Sequence, residues 1–371
     1  MRVTNSMLVN NLMRNLNTNL TKMDKLQNQM ATGRKFGHIS DDPVSLVYSQ
    51  AARNKIARLS HYQRTVGAAK DWLNQAEAGV MELQGTIVNA IESAIDAATD
   101  VKTDVDRQNI AATMLQFRKH FVDTLNTTFG DKYVYGGYNT PGDPAEGHGI
   151  DGIKSFVFDA DNEILYYNGF NLSQFDGMLA DDFFNLQATT FLPDGSTLGD
   201  TDSFLAFEQL RSDVLTFDVG PGVEMPVTMN GIELIFFITT ETDEDGESVS
   251  VIRNAVNVLH ELYRLAAEDP EDLGIDGSPV RDISAMIKPL QDAQNHLLTK
   301  TAEIGGRMRR LDLLEARYEQ DAINYERMKS DAEDADMAEV IMYQKMAEAV
   351  YQAALSSGAR IIQPTLMDFL R

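Results

Sequence analysis

Apolar residues recur in alternating steps of three and four along both ends of this chain. The longest run passes through Ser45, Tyr48, Ala52, Lys55, Leu59, Tyr62, Val66, Ala69, Leu73, Ala76, Val80, Leu83, Ile87, Ala90, Ala94 and Ala97, where only Ser45 and Lys55 are not apolar. A repeat averaging 3.5 residues predicts one long helix with a continuous packing seam, and its alanines allow close helix approach. Asp41-Asp42-Pro43 marks the start, because acidic residues and proline both suit a helix N-terminus. A second seam, Ile283, Leu290, Leu297, Ile304, Leu311, Tyr318 and Tyr325, recurs every seventh residue behind a Ser278-Pro279 start signal. Pro289 and Gly305-Gly306 predict a kink within it. Shorter helices are expected over Ile110, Met114, Phe117, Phe121 and Leu125, and from Val251 to Ala267. Four such helices make a bundle.

The extreme ends differ. Val9, Leu12, Leu16, Asn19, Met23, Leu26 and Met30 keep the repeat, but asparagines crowd between them and weaken the helix. From Met337 to Ile362 the apolar positions Val340, Ile341, Ala347, Val350, Tyr351, Ala354, Leu355, Ile361 and Ile362 cover a face too wide for one partner. Such ends are expected to be disordered in a free monomer and ordered in an assembly. The candidate assembly interface is therefore Val9, Leu12, Leu16, Met23, Leu26, Met30, Val340, Ile341, Val350, Tyr351, Leu355 and Ile362.

Between the helical ends the pattern changes. Glycine-punctuated aromatic and β-branched runs at Ser155–Phe158, Ile164–Tyr167, Val214–Val219 and Ile232–Thr240 read as strands. The fold class is mainly α with a β-rich insertion: a long antiparallel coiled-coil or helical-bundle rod built from both chain ends, with a smaller β domain at its tip. The expected division is residues 1–43 with 337–371 as a terminal coiled coil forming a polymer core, 44–136 with 247–336 as the helical rod, and 137–246 as an acidic outer domain.

Charge sharpens that division. The net charge of −24 over 371 residues is concentrated in the middle: 22 acidic residues stand against Lys154 and Arg211 between Gly137 and Ser250, a balance of −20. Residues 1–35 run the other way, with Arg2, Arg14, Lys22, Lys25, Arg34 and Lys35 against Asp24, a balance of +5. The basic residues alternate with apolar ones rather than forming a block, so nucleic-acid binding is not expected. The chain has no cysteine, which excludes disulfides, thiolate metal sites and cysteine nucleophiles. Asn5, Asn10 and Asn11 interrupt any signal-peptide pattern in Met1–Arg14, and no apolar run approaches membrane-spanning length, so export without a cleavable signal and no membrane insertion are expected.

No chemical motif is complete. His260-Glu261 opens an H-E-x-x-H helix, but Arg264 replaces the second imidazole, so a plain surface helix is the expectation. Asp159, Asp161 and Glu163 lack the glycine of a calcium loop and read as an exposed turn. Asp243–Gly246 reads as a solvated hairpin turn, and Arg307, Arg309 and Arg310 as surface partners of Asp312 and Glu315. Trp72 and the methionines fall on packing faces. Catalytic residues, cofactors and metals are not expected.

The borders of the two ends carry a resemblance. Met30-Ala-Thr-Gly-Arg-Lys35 followed by Ser40-Asp41-Asp42-Pro43 resembles the link after the first helix of the flagellin superfamily, the subunits of bacterial flagellar filaments and their junction proteins. Glu333-Asp334-Ala335-Asp336, continuing into Met337-Ala-Glu339, is similar to the motif that opens that family's last segment. Gln352–Leu355, Pro364 and Leu366–Arg371 are similar to its tail. Asp42-Pro43, the segment Gly130–Thr140 and the last six residues resemble the junction branch more than filament flagellin. This resemblance implies export, unfolded, through the flagellar type III apparatus with a dedicated chaperone. It further implies a homo-oligomeric ring at the hook–filament junction, between hook-associated protein 1 and flagellin, with terminal helices lining the central channel. Filament flagellin is the alternative within the family. A type III secreted effector or translocator acting on membranes, and an enzyme embedded in the insertion, are rivals from other classes.

Overall fold

The computed structural model describes residues 5–38, 40–98, 104–130, 132–137, 154–185, 201–212, 214–242, 247–267 and 283–362. These are mostly helical, with long helices toward both ends and a small β-rich middle. Packing divides the chain into two compact units, residues 1–61 with 316–371 and residues 62–315.

The first unit contains α1 (Asn5–Thr32), the start of α2 (Pro43–Ala97), the end of α8 (Ile283–Glu333) and α9 (Met337–Ile362). Asp42 caps α2 by accepting from the amides of Val44 (3.2 Å) and Ser45 (3.1 Å), with Pro43 as the first helical residue. The predicted seam is buried at Ala52 and Leu59, but Tyr48 is exposed and Ser49 takes its place inside. There the Ser49 hydroxyl donates to the buried Glu333 carboxylate at 2.7 Å.

The second unit holds the rest of α2 and α8, with α3 (Asp104–Leu125), β1 (Thr128–Phe129) and β2 (Lys132–Tyr133). Then come β3 (Phe156–Asp159), β4 (Ile164–Tyr167), β5 (Phe170–Asn171), α4 (Ala180–Phe184) and α5 (Thr201–Ser212). The remainder is β6 (Thr216–Gly220), β7 (Val223–Pro226), α6 (Gly231–Ile235), β8 (Phe236–Thr242), β9 (Ser248–Asn254) and α7 (Ala255–Ala267). The seam is buried along α2 from Val66 to Ala94, and along α8 from Ile283 to Leu311. Helix α8 continues through Pro289 and both glycines as one helix, and the Ser278-Pro279 start signal lies outside the described residues. Met114, Phe121 and Leu125 of α3 are buried, and α3 packs on α7.

The strands lie in small antiparallel sheets: β1-β2, β3-β4-β5, β6-β7 and β8-β9. Two expected boundaries are corrected by the same device. The run Ile232–Thr240 begins as a helix because the Asn230 side chain accepts from the Ile232 amide at 2.9 Å and starts a helical turn; only Phe236 onward is strand. The helix expected from Val251 begins at Ala255, where Asn254 accepts from the Val256 amide at 3.0 Å, while Val251–Asn254 pairs with β8. In both, an asparagine cap overrides the β propensity of the side chains around it. The turn predicted at Asp243–Gly246 lies outside the described residues, although β8 and β9 pair antiparallel on either side of it.

Arg253, almost fully buried at the end of β9, faces Asp176 at 3.3 Å, Glu241 at 2.7 Å and Glu261 at 2.5 Å. It thereby ties β8, β9 and α7 to the segment before α4. Burial pushes the Asp176 carboxyl above its usual range, with Arg253 opposing that rise.

Tyr135, in the segment that resembles the junction branch, anchors α2 to the sheet region. Its hydroxyl donates to the Ala76 carbonyl at 2.7 Å, and its own carbonyl accepts from Tyr167 Oη at 3.1 Å and from the Gly231 amide at 3.1 Å. Gly79 makes this possible, since a Cβ there would stand 2.2 Å from Tyr135 Oη. Asp131 and residues 138–140 of that segment lie outside the described residues. Two glycine substitutions in α2 should therefore differ in sign. Gly79→Ala should destabilise by about 1–3 kcal/mol through forced repacking. Gly85→Ala, which meets nothing within 4 Å, should stabilise by roughly 0.5–1 kcal/mol. Thermal unfolding of the two variants checks this; equal shifts would contradict the Tyr135 anchor.

Candidate assembly interface

Four helix ends of the first unit come together, and each brings unsatisfied backbone groups. Helix α1 ends at Gly33, whose φ of +70° is the left-handed conformation favoured by glycine and whose amide donates to Gln29 O at 2.8 Å. The chain after α1 then pairs with the chain after α8. Lys35 N donates to Glu333 O at 2.7 Å, Ala335 N donates to Gly33 O at 2.8 Å, and Arg34 and Asp334 form the antiparallel bridge between them. Asp336 caps α9 by accepting from Ala338 N at 2.9 Å and Glu339 N at 3.3 Å. Asp41 closes the loop before α2, accepting from Gly37 N at 3.2 Å and His38 N at 3.1 Å and pairing with Lys25 at 3.2 Å. The His38 amide leads in holding its carboxyl below the usual range, followed by Lys25.

Glu333 is the buried member of this joint, 3 % exposed. Its carboxylate accepts from Ser49 Oγ and pairs with Arg53 of α2. Burial alone pushes the carboxyl up; the hydrogen bonds from Ser49 and Arg53 outweigh it and hold the pKa below its ordinary value. Two residues of the family-like motif, Asp42 and Asp336, thus serve as caps, and Glu333 is a tie between α8 and α2.

Helix α1 packs on α9. Val9, Leu12, Leu16, Met23, Leu26 and Met30 all lie on one half-buried face, together with Asn19. On α9 the inward face is Val340, Gln344, Ala347, Tyr351, Ala354 and Gly358. It is mostly small, and Gly358 fits closely: a Cβ on it would lie 2.6 Å from Leu12 Cδ2. The remaining predicted residues separate from these. Ile341, Val350 and Leu355 are exposed, as are Met342, Tyr343 and Met346, so apolar side chains remain around α9 outside the face that α1 covers. Ile362 is the last helical residue and its side chain lies outside the described residues. Further exposed apolar residues stand at Met7, Leu8, Met13 and Leu20 on α1, and at Val44, Val47 and Tyr48 on α2. No helix among the described residues is long and apolar enough to cross a membrane.

The incomplete chemical motifs resolve into packing. His260 is not on a surface helix face as expected but buried: its Nδ1 accepts from Arg118 at 2.5 Å, and its Nε2 faces Glu163 at 3.1 Å. Burial lowers its pKa despite Glu163. Glu261 is spent on Arg253. Asp159, expected in an exposed turn, is also buried. It holds the β3–β4 turn by accepting from Asp161 N at 3.0 Å and Asn162 Nδ2 at 2.7 Å. Arg307 pairs with Glu303 at 2.5 Å rather than with Asp312 or Glu315, both of which go to Lys70 at 2.7 Å. Trp72 is buried in an edge contact with Phe129. Among the described residues no group of histidines and carboxylates is arranged to hold a metal.

Residues 3–140 match the sequence model of the bacterial flagellin N-terminal helical region. Over 166 residues, 44 % of this chain, it is 25 % identical to the flagellar hook-associated protein 3 of Salmonella typhimurium. The match covers 52 % of that relative, so the chain spans about half the length of the curated relatives it matches. Its fold is similar to that of a putative flagellar hook-associated protein from Vibrio parahaemolyticus (TM-score 0.54, 15 % identity, covering 79 % of this chain and all of that one). It is likewise similar to hook-associated protein 3 from Legionella pneumophila (TM-score 0.51, 10 % identity, covering 76 % and 99 %). The resemblance to the flagellin superfamily, and within it to the hook-associated proteins, is borne out. The mainly α fold with a β-rich middle is also as expected.

Because the folded pKa of Glu333 lies below its unfolded value, its contribution is present above the ordinary carboxylate range and is lost as pH falls through the folded pKa. The exchange protection of the Lys35 and Ala335 amides, relative to their intrinsic rates, should fall in that acidic window. Glu333→Gln should remove the pH dependence and destabilise the joint by about 1–3 kcal/mol at neutral pH. Unchanged exchange in the variant would show that the joint does not depend on this carboxylate.

Proposed function

We propose that this chain is a structural, non-catalytic subunit of the bacterial flagellum that self-assembles at the hook–filament junction, as an adaptor between hook-associated protein 1 and flagellin. The observation that carries this reading is the apolar surface left on the C-terminal helix. One face of α9 is taken by α1, while Ile341, Val350 and Leu355 on its flanks stay exposed in the described chain. Clusters of exposed apolar side chains mark an interaction surface, and a helix pair that leaves them on its flanks is suited to pack against identical pairs.

In this reading residues 1–43 with 337–371 form the polymer core of a homo-oligomeric ring and line its channel. Residues 44–136 with 247–336 support them, and the acidic segment 137–246 faces outward. The chain reaches the cell exterior unfolded through the type III export apparatus, held by an export chaperone. The relatives' names support the junction position, and the motifs at Asp41-Asp42-Pro43 and Glu333–Asp336 support the shared joint.

The exposed and the paired positions give separable tests. Val350→Asp should abolish sedimentable assembly while changing monomer stability by less than about 0.5 kcal/mol, because the residue is exposed in the single chain. Leu16→Asp, inside the α1–α9 seam, should abolish assembly and also loosen the terminal pair, leaving the remaining helices folded. In a confirmed monomer, brief proteolysis should cut first within residues 1–43 and 337–371, before the helices of the second unit. In cells, a deletion strain should make hooks yet shed flagellin into the medium. Filaments on such hooks, or normal assembly of Val350→Asp, would overturn the proposal.

A further inference from the structure

Helix α3 and strand β3 border a groove of about 350 Å³ lined by Arg118, Lys119, Asp123, Lys154 and Phe158, among others. Its base is unusual for a protein of net charge −24. Arg118 is 4 % exposed, has its guanidinium carbon over the Phe158 ring, 4.2 Å from its centre, and donates to the neutral acceptor nitrogen of His260. Among the described residues no carboxylate reaches it within ion-pair distance. Glu163, which acts on it from farther away, is engaged at His260 (3.1 Å) and Arg264 (3.6 Å). Above it the exposed Lys119 and Lys154 stand at the rim; among the described residues neither has an ion pair, and Asp123 is the only acidic residue lining the groove. Lys154 is one of just two basic residues in the strongly acidic stretch from Gly137 to Ser250.

A buried guanidinium without a counter-charge is costly, and replacing buried ionic groups by apolar ones of similar volume is often neutral or stabilising. Stability is therefore a poor reason for Arg118 to be where it is. Burial already draws its pKa below the usual arginine range. Its planar fork suits an oxyanion approached from the groove, the aromatic face beneath fixes the guanidinium plane, and the rim lysines supply attraction that survives partial solvation.

We propose that this groove is an oxyanion-binding site, in which Arg118 grips a carboxylate or phosphate and Lys119 and Lys154 steer it in. An acidic polypeptide segment and a free phosphate present the same oxygens, so the source is left to the test. The site does not depend on the assembly reading, because every residue lining it belongs to the second unit of a single chain.

The full-length protein is titrated, at constant ionic strength, with inorganic phosphate and separately with a hexaglutamate peptide. Calorimetry and the His260 imidazole resonance are followed together. Saturable binding of at least one anion is expected, with the resonance moving along the same isotherm. Binding of the peptide alone assigns the source as an acidic segment, and binding of phosphate alone as a free anion. The surface double variant Lys119→Glu/Lys154→Glu should keep its unfolding midpoint and bind about tenfold more weakly or worse. Arg118→Lys should bind more weakly still, because an ammonium lacks the fork. If neither anion saturates, or if the double variant titrates like the wild type, the proposal is wrong.

Discussion

Every helix terminus exposes amide or carbonyl groups that the helix itself cannot satisfy, and here four termini converge within a few residues of one another. The fold of the terminal unit follows from how that demand is met. Two aspartates cap the helices that begin there, a left-handed glycine closes the first helix that ends there, and the two connecting segments satisfy each other as a short antiparallel pair. Glu333 then ties this pair to the side of α2 through Ser49 and Arg53. With the joint in place, the direction in which α1 and α9 leave it is set, and so is the face that each turns to the other. What remains on the outside of α9 is whatever apolar surface the pairing did not use.

The long helices were legible in the chain because their signal is repetitive and local. A seam recurring every 3.5 residues leaves little choice of partner face, and Val9 to Met30 emerged on one side of α1 as the spacing requires. On α9 the spacing marked a broad apolar face without dividing it. Only contact with α1 separated Val340 and Tyr351, which turn inward, from Ile341, Val350 and Leu355, which do not.

Where the reading of the residues fell short, the cause was a side chain acting on backbone or a partner distant in sequence. Asn230 and Asn254 each begin a helix in a stretch whose β-branched and aromatic residues favour a strand, and an asparagine directly before an apolar run was the available signal. The pairing of residues 33–35 with 333–335 has no periodicity to betray it. The burial of His260 depends on Arg118 and Glu163, from α3 and from the turn before β4, and no spacing within α7 reports on either. Ser49, buried where the spacing points to Tyr48, likewise has its partner on α8.

The pairing between the two connecting segments is made by main-chain atoms. A joint of that kind tolerates sequence drift. So long as a glycine can adopt the left-handed turn and a carboxylate can cap each new helix, the intervening residues are free to change with the rest of the surface.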